Sequence, residues 1–111
     1  MEAPAARAVV LVRFPLSDLS RARLRPALVL AAVAHGDFLC CQITSKPYAD
    51  PRAIMLADSD FASGGLARVS FVRPGKLFTA HRSLIERTVG WLKPEAHQRV
   101  LSAIVRLLQE G

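Results

Sequence analysis

The stretch "LRPALVLAAVAHGDFLCCQITSKPY", residues 24–48, decides the fold. "PALVLAAVA" (26–34) is apolar almost without a break, as expected for a strand buried on both faces. "HGD" (35–37) is turn chemistry, and "FLCCQIT" (38–44) is a second strand, so the segment reads as a hairpin. Antiparallel pairing sets the start of one strand beside the end of its neighbour. Arg25 and Thr44 are therefore expected to meet at one rim of the sheet.

Working outward, "AVVLVRF" (8–14) is a β-branched strand stopped by Pro15. "PLSDLSRARLR" (15–25) is polar and basic and reads as a long mobile loop. Residues 1–7 read as a loose lead-in to a single domain spanning 8–111. After Thr44, "SKPYADP" holds two prolines and reads as a loop, and "RAIML" as a short strand. "DSDFASGGL" suggests one helical turn closed by glycines, with Asp58 as N-cap. "ARVSFVRPGKLFTA" is a strand bent at Pro74-Gly75, and "LIERTVGWL" (84–92) alternates like a last strand. Pro94 fits a first helical position. Ala96, Val100, Leu101, Ile104, Leu107 and Leu108 then recur at helical spacing. The expected architecture is mainly β: a small, strongly bent antiparallel barrel with a C-terminal amphipathic helix.

A chain of 111 residues, 51% of them hydrophobic, can build a core without staples and is not expected to be disordered. The net charge of +6 favours polyanions, with nucleic acid first and an acidic protein second. Cys40 and Cys41 are adjacent and point to opposite faces of a strand, so they are read as small buried thiols in a reducing cytoplasm. No apolar run reaches membrane-span length.

Elimination narrows the chemistry. There is no nucleophile elbow, no Cys/His signature, no phosphate-cradling glycine loop and no metal-ligand spacing. His35 and His97 are expected to be solvated, while His81 is retained as a histidine that could face a site. The remaining groups are basic and hydroxylated: Arg21, Arg23 and Arg25, then Thr44, Ser45 and Lys46, then Arg73 and Lys76 around Pro74-Gly75. An arginine fork grips phosphate oxygens and never loses its charge. A threonine hydroxyl beside it can add one more hydrogen bond, so Arg25 and Thr44 form a candidate phosphate clamp.

"VVLVRFPLSDLSRARLRPALVL" followed by "CQITSKPY" resembles the PemK/MazF family of bacterial toxins, and "GGLARVSFVRPGKLFT" with "WLKPE" resembles its PemK-like branch. The resemblance runs over roughly residues 8–95. It implies an SH3-like barrel, a homodimer, no cofactor, and an endoribonuclease that cleaves single-stranded RNA without a metal. It also implies an acidic antitoxin partner. By the same resemblance Arg25 and Thr44 are the catalytic pair, with Ser45 and Asp18 as further catalytic or loop-supporting groups. Arg21, Arg23, Lys46, Arg73 and Lys76 are the expected RNA-binding residues. Many relatives carry a glutamate in the first loop; here the nearest acid is Asp18. Phe14, Leu16, Leu77, Phe78 and Trp91 together exceed what a single small core is expected to bury, which permits a dimer surface, although Trp91 by itself reads first as core. The alternatives are a catalytically silent barrel that binds nucleic acid or protein, and a module that docks on a folded regulator.

Overall fold

The computed structural model describes residues 3–15 and 22–111. Its strands are β1 (Ala8–Pro15), β2 (Ala22–Ala32), β3 (Asp37–Thr44), β4 (Ile54–Leu56), β5 (Phe61–Gly64), β6 (Ser70–His81) and β7 (Ile85–Leu92), followed by helix α1 (Pro94–Glu110). Among the described residues these strands form one antiparallel sheet in the order β4-β6-β3-β2-β1-β7-β5. The expected barrel is a curled half-barrel, since the edge strands β4 and β5 do not pair with each other.

The apolar runs of β1–β3 have a direct cause: both faces of these strands are buried. Val9, Leu28, Cys41 and Ile43 belong to one core cluster, covered by Ala96, Val100 and Ile104 of α1. Their neighbours Ala8, Val10, Val12, Ala27, Val29 and Cys40 belong to a second. Alternate side chains of a strand leave on opposite faces, so an uninterrupted apolar run feeds two cores at once. Phe14, Phe78 and Trp91 pack against the second cluster, with Phe14 and Phe78 meeting edge to face at 5.3 Å. Of the residues that permit a dimer surface, Phe14 and Phe78 are thus partly buried within the chain, Trp91 is partly buried in line with its core reading, and Leu77 is exposed; Leu16 lies outside the described residues. Both cysteines are free and buried, and burial raises their thiol pKa values to about 11 (Cys40) and about 12 (Cys41).

Four expectations are corrected. The basic segment read as loop is already strand from Ala22, because β2 continues its ladder with β1 from Leu28 to Ala22, paired with Val9 to Pro15. Arg23 and Arg25 are strand residues as a result. Second, the turn at Asp58–Asp60 is a three-residue 3₁₀ turn whose N-cap position is Ala57, not Asp58. The Asp60 carboxylate accepts the Ala57 N–H at 2.8 Å. Third, the chain after it does not coil up on glycines but extends as β5 along β7. Gly64, at φ +64°, makes this approach close: a Cβ there would lie 2.1 Å from the Val89 carbonyl oxygen.

Last, His97 is buried rather than solvated, and its Nδ1 has no hydrogen-bond partner. Burial, then the charge of Arg7, holds its pKa below the usual value. Arg7 is fixed there by three bonds: its N–H to the Val29 carbonyl (3.1 Å), its carbonyl from the Leu92 N–H (2.9 Å), and its guanidinium to the Leu92 carbonyl (3.2 Å). Helix α1 begins with Pro94 at its first position and ends on Gly111, whose N–H caps the Leu107 carbonyl.

Candidate active site

Three strands and one loop meet around Leu11. The register sets Leu11 of β1 between Pro26 of β2 and Arg87 of β7. The ladder of β2 with β3 stops at Ala27–Gln42; two positions further along the same register, Arg25, still paired with Val12 of β1, stands opposite Thr44, the last residue of β3. The segment after β5 is pulled over the same end of the sheet by a bond from the Gly65 N–H to the Val89 carbonyl, 3.1 Å.

The resulting cleft has a volume of about 460 Å³ and an apolar floor of Leu11, Pro26, Ile43, Leu66 and Val89. The same cleft is lined by four arginines, Arg23, Arg25, Arg68 and Arg87, and by Thr44, Ser45 and Ser70. No Asp, Glu or His is among the described residues that line it. Four like charges around an apolar floor create a positive potential that an anion relieves, and guanidinium forks match phosphate oxygens geometrically. Arg25 is half-buried and so is the least hydrated of these charges to consider beside the exposed Arg23, Arg68 and Arg87. Ser70 is buried and donates to the Arg68 carbonyl at 2.9 Å, which fixes the backbone beneath Arg68.

The Thr44 hydroxyl is engaged in a tight turn: it accepts the Lys46 N–H and donates to the Lys46 carbonyl, both at 3.1 Å. To donate to a bound oxyanion it needs only to rotate its proton away from that carbonyl, while the N–H of Lys46 keeps the oxygen in place.

The structure brings together Arg23, Arg25, Thr44 and Ser45 from the sequence-derived set. Lys46 adjoins the cleft through its turn with Thr44 but does not line it. Arg73 and Lys76 do not line it either. Arg73 is committed to an ion pair with Asp50, Nε to Oδ2 at 3.0 Å. Asp18 and Arg21 lie outside the described residues. His81 is at the end of β3 remote from Thr44, paired across to Asp37 and bonded to Ser83. Arg68, Ser70 and Arg87 were not anticipated. Arg87 sits in the alternating "IERTVGWL" strand and Arg68 follows a Gly-Gly pair, but only the β1–β7 pairing tells that Arg87 shares the cleft, and only the β3–β6 pairing and the Gly65–Val89 bond tell it of Arg68. Among the described residues no group of three or more His, Cys, Asp or Glu side chains is placed to hold a metal ion, and no helix is long and apolar enough to cross a membrane.

The sheet order and the basic, hydroxyl-bearing cleft at the β2–β3 mouth describe a curled half-barrel with one positively charged site. The family described as "PemK-like, MazF-like toxin of type II toxin-antitoxin system" matches residues 6–108, and the chain belongs to it. Among solved structures, the MazE–MazF complex (Form-III) of Deinococcus radiodurans superposes with a TM-score of 0.77 at 22% identity, covering 97% of this chain and 98% of that one. An endoribonuclease from a mycobacterial species superposes with a TM-score of 0.71 at 17% identity, covering 98% and 94%. A mycobacterial endoribonuclease in complex with its cognate antitoxin gives 0.70 at 17% identity, covering 98% and 96%. At these identities the likeness establishes the shared fold. No curated protein sequence matches the chain.

Proposed function

We propose that this chain is the toxin of a type II toxin–antitoxin pair and a metal-independent endoribonuclease acting on single-stranded RNA. The observation that carries the reading is the cleft itself: four arginines and three hydroxyls converge on one apolar floor with no described carboxylate among them. In the proposed reaction the substrate's own 2′-hydroxyl attacks the adjacent phosphorus. The P–O5′ bond breaks, leaving a 2′,3′-cyclic phosphate and a 5′-hydroxyl. The nucleophile belongs to the RNA, so the protein's share is alignment and charge stabilisation. Arg25 and the Thr44 hydroxyl hold the non-bridging oxygens as negative charge builds on them. Arg23, Arg68 and Arg87 draw in the flanking phosphates. The attacking hydroxyl gives up its proton and the departing O5′ gains one, and Asp18 and Ser45 are further catalytic or loop-supporting groups in this reading.

The partner in this reading is an acidic antitoxin segment that occupies the same basic cleft. The named complexes of structural neighbours with MazE or with a cognate antitoxin support it. A homodimer working in the bacterial cytoplasm completes the picture.

The test is incubation with a long single-stranded RNA, and with DNA of the same sequence, in EDTA, beside Arg25→Ala. Discrete RNA fragments with cyclic-phosphate ends, intact DNA and an Arg25→Ala variant slower by about 10²–10³ are expected. Undiminished cleavage by a folded Arg25→Ala removes the clamp. A second reading, a catalytically silent binding module, is favoured by one observation: neither a carboxylate nor an imidazole lines the cleft among the described residues. It predicts salt-sensitive binding of RNA and DNA alike, with no cleavage.

A further inference from the structure

The segment that leaves the cleft after Ser45 contains the chain's one tyrosine in an unusual setting. Tyr48 and Ala49 are consecutive non-glycine residues in the left-handed region, at φ +55° and +57°. A bare turn at such positions is ordinarily made with glycine or asparagine, because a Cβ crowds the following carbonyl. Here the backbone accepts that crowding and presents a large ring to solvent: Tyr48 is 67% exposed. The ring is nevertheless held. The Arg73 guanidinium carbon lies over it, 5.6 Å from the centroid.

Arg73 is itself pinned to Asp50, and the two side chains are only 19% and 15% exposed. The second Asp50 oxygen accepts the Arg52 N–H at 2.9 Å. The loop closes through the Asp50 N–H to the Pro47 carbonyl, 3.0 Å, and the Ala53 N–H to the Asp50 carbonyl, 3.1 Å. Anchored by β6, this frame fixes an aromatic ring with a cation behind one face and the other face open. Local strain that the surroundings hold in place is a pointer to a functional position.

We propose that Tyr48 is a stacking platform for a nucleobase of the RNA strand, one that lies just outside the cleft when its phosphate backbone is gripped there. This rests on the reading of the cleft as an RNA site. The placement follows from the chain: Ser45 lines the cleft, and three residues further on span at most ~11 Å. Lys46, exposed between them, covers the intervening phosphate. A ring backed by a fixed guanidinium offers every base a π-face at little cost in side-chain freedom, since Arg73 already restricts it. Tyr48 therefore contributes affinity at one nucleotide position and is tolerant of which base stands there.

The test uses 2′-O-methyl oligonucleotides of mixed sequence, which cannot supply the attacking hydroxyl, with an abasic residue moved through each position in turn. Binding is measured for the intact protein, Tyr48→Ala and Tyr48→Phe, with near-ultraviolet circular dichroism as the folding control. For the intact protein, one abasic position is expected to weaken binding roughly five- to hundredfold. Tyr48→Ala should lose as much with the full oligonucleotide and become indifferent to that position; Tyr48→Phe should behave like the parent. Full affinity and unchanged position dependence in Tyr48→Ala overturn the platform while leaving the RNA site standing. No binding of any oligonucleotide by the intact protein overturns both. Loss of binding to an acidic peptide, with RNA binding intact, assigns the ring to a protein partner and overturns it as well.

Discussion

Gly64 and Gly65 are neighbours in sequence, and replacing each by alanine should have opposite consequences. At Gly64 the new Cβ would lie 2.1 Å from the Val89 oxygen, 2.7 Å from Gly90 Cα and 2.9 Å from the Val89 carbonyl carbon, all backbone atoms that cannot swing aside. The position also has φ +64°, where an L side chain is strained. The conformational penalty is about 1–2 kcal/mol. Forced separation of β5 from β7 adds about 1–3 kcal/mol, as for overpacking elsewhere. Gly64→Ala should therefore cost about 2–5 kcal/mol, a fall in Tm of roughly 8–20 °C for a domain of this size. At Gly65 nothing lies within 4 Å of the added Cβ and φ is not positive. Gly65→Ala should be neutral, or stabilising by up to about 1 kcal/mol through the unfolded chain. Urea unfolding of the two variants beside the parent measures both. Equal stabilities would refute the close approach of β5 to β7. The same contact holds the segment carrying Arg68 over the cleft, so Gly64→Ala should also weaken RNA binding below its unfolding midpoint, and Gly65→Ala should not.

Three further outcomes are expected. Arg87→Ala, changing an exposed side chain, should leave the unfolding free energy within about 0.5 kcal/mol of the parent's, and make the log–log salt dependence of single-stranded RNA binding shallower by about 0.7; an unchanged slope would place Arg87 off the phosphate path. His97, whose folded pKa is depressed, binds protons more readily unfolded than folded. Stability should hold above pH ~6.5 and decline as pH falls from there towards the folded pKa, so that Tm measured at pH 7.5 and pH 5.5 differs less in His97→Gln than in the parent. With thiol pKa values of about 11 and about 12, Cys40 and Cys41 should resist alkylation at pH 8 in the folded protein and react after denaturation. Modification of the native chain at the rate of a free thiol would contradict their burial.

Central strands were legible in the sequence because they carry local signals. "AVVLVRF" and "PALVLAAVA" are apolar on consecutive residues, and only strands buried on two faces need that. The Pro94 start and spacing of α1 were legible for the same kind of reason. β5 was not, since Phe-Ala-Ser-Gly has little intrinsic strand preference and is extended by its neighbour β7. His97 was misjudged because helical spacing alone does not mark its burial, and Arg7, whose charge reaches it, lies 90 positions away and is itself held by β2 and β7. The site divided along the same line. Arg25 and Thr44 flank one hairpin, so antiparallel geometry alone predicts that they share a rim. Arg87 joins them through the pairing of β1 with β7, and Arg68 through the pairing of β3 with β6 and the bond from Gly65 to Val89, long-range contacts that no short window contains.

That pairing also governs when the protein comes into being. β1 lies between β2, its immediate successor, and β7, the last strand before the helix. Val10 meets Thr88, roughly 80 positions later, so at ribosomal speeds of about 5–20 residues per second the first strand waits about 4–16 seconds for its second neighbour. Throughout that interval the cleft lacks Arg87 and its roof. Any premature stop upstream of β7 leaves a chain with no assembled site, and the high share of distant contacts makes the final closure slow relative to a helical protein of equal length. The order of strands thus sets a delay between the start of translation and assembly of the cleft, during which a growing chain can be met by whatever binds it.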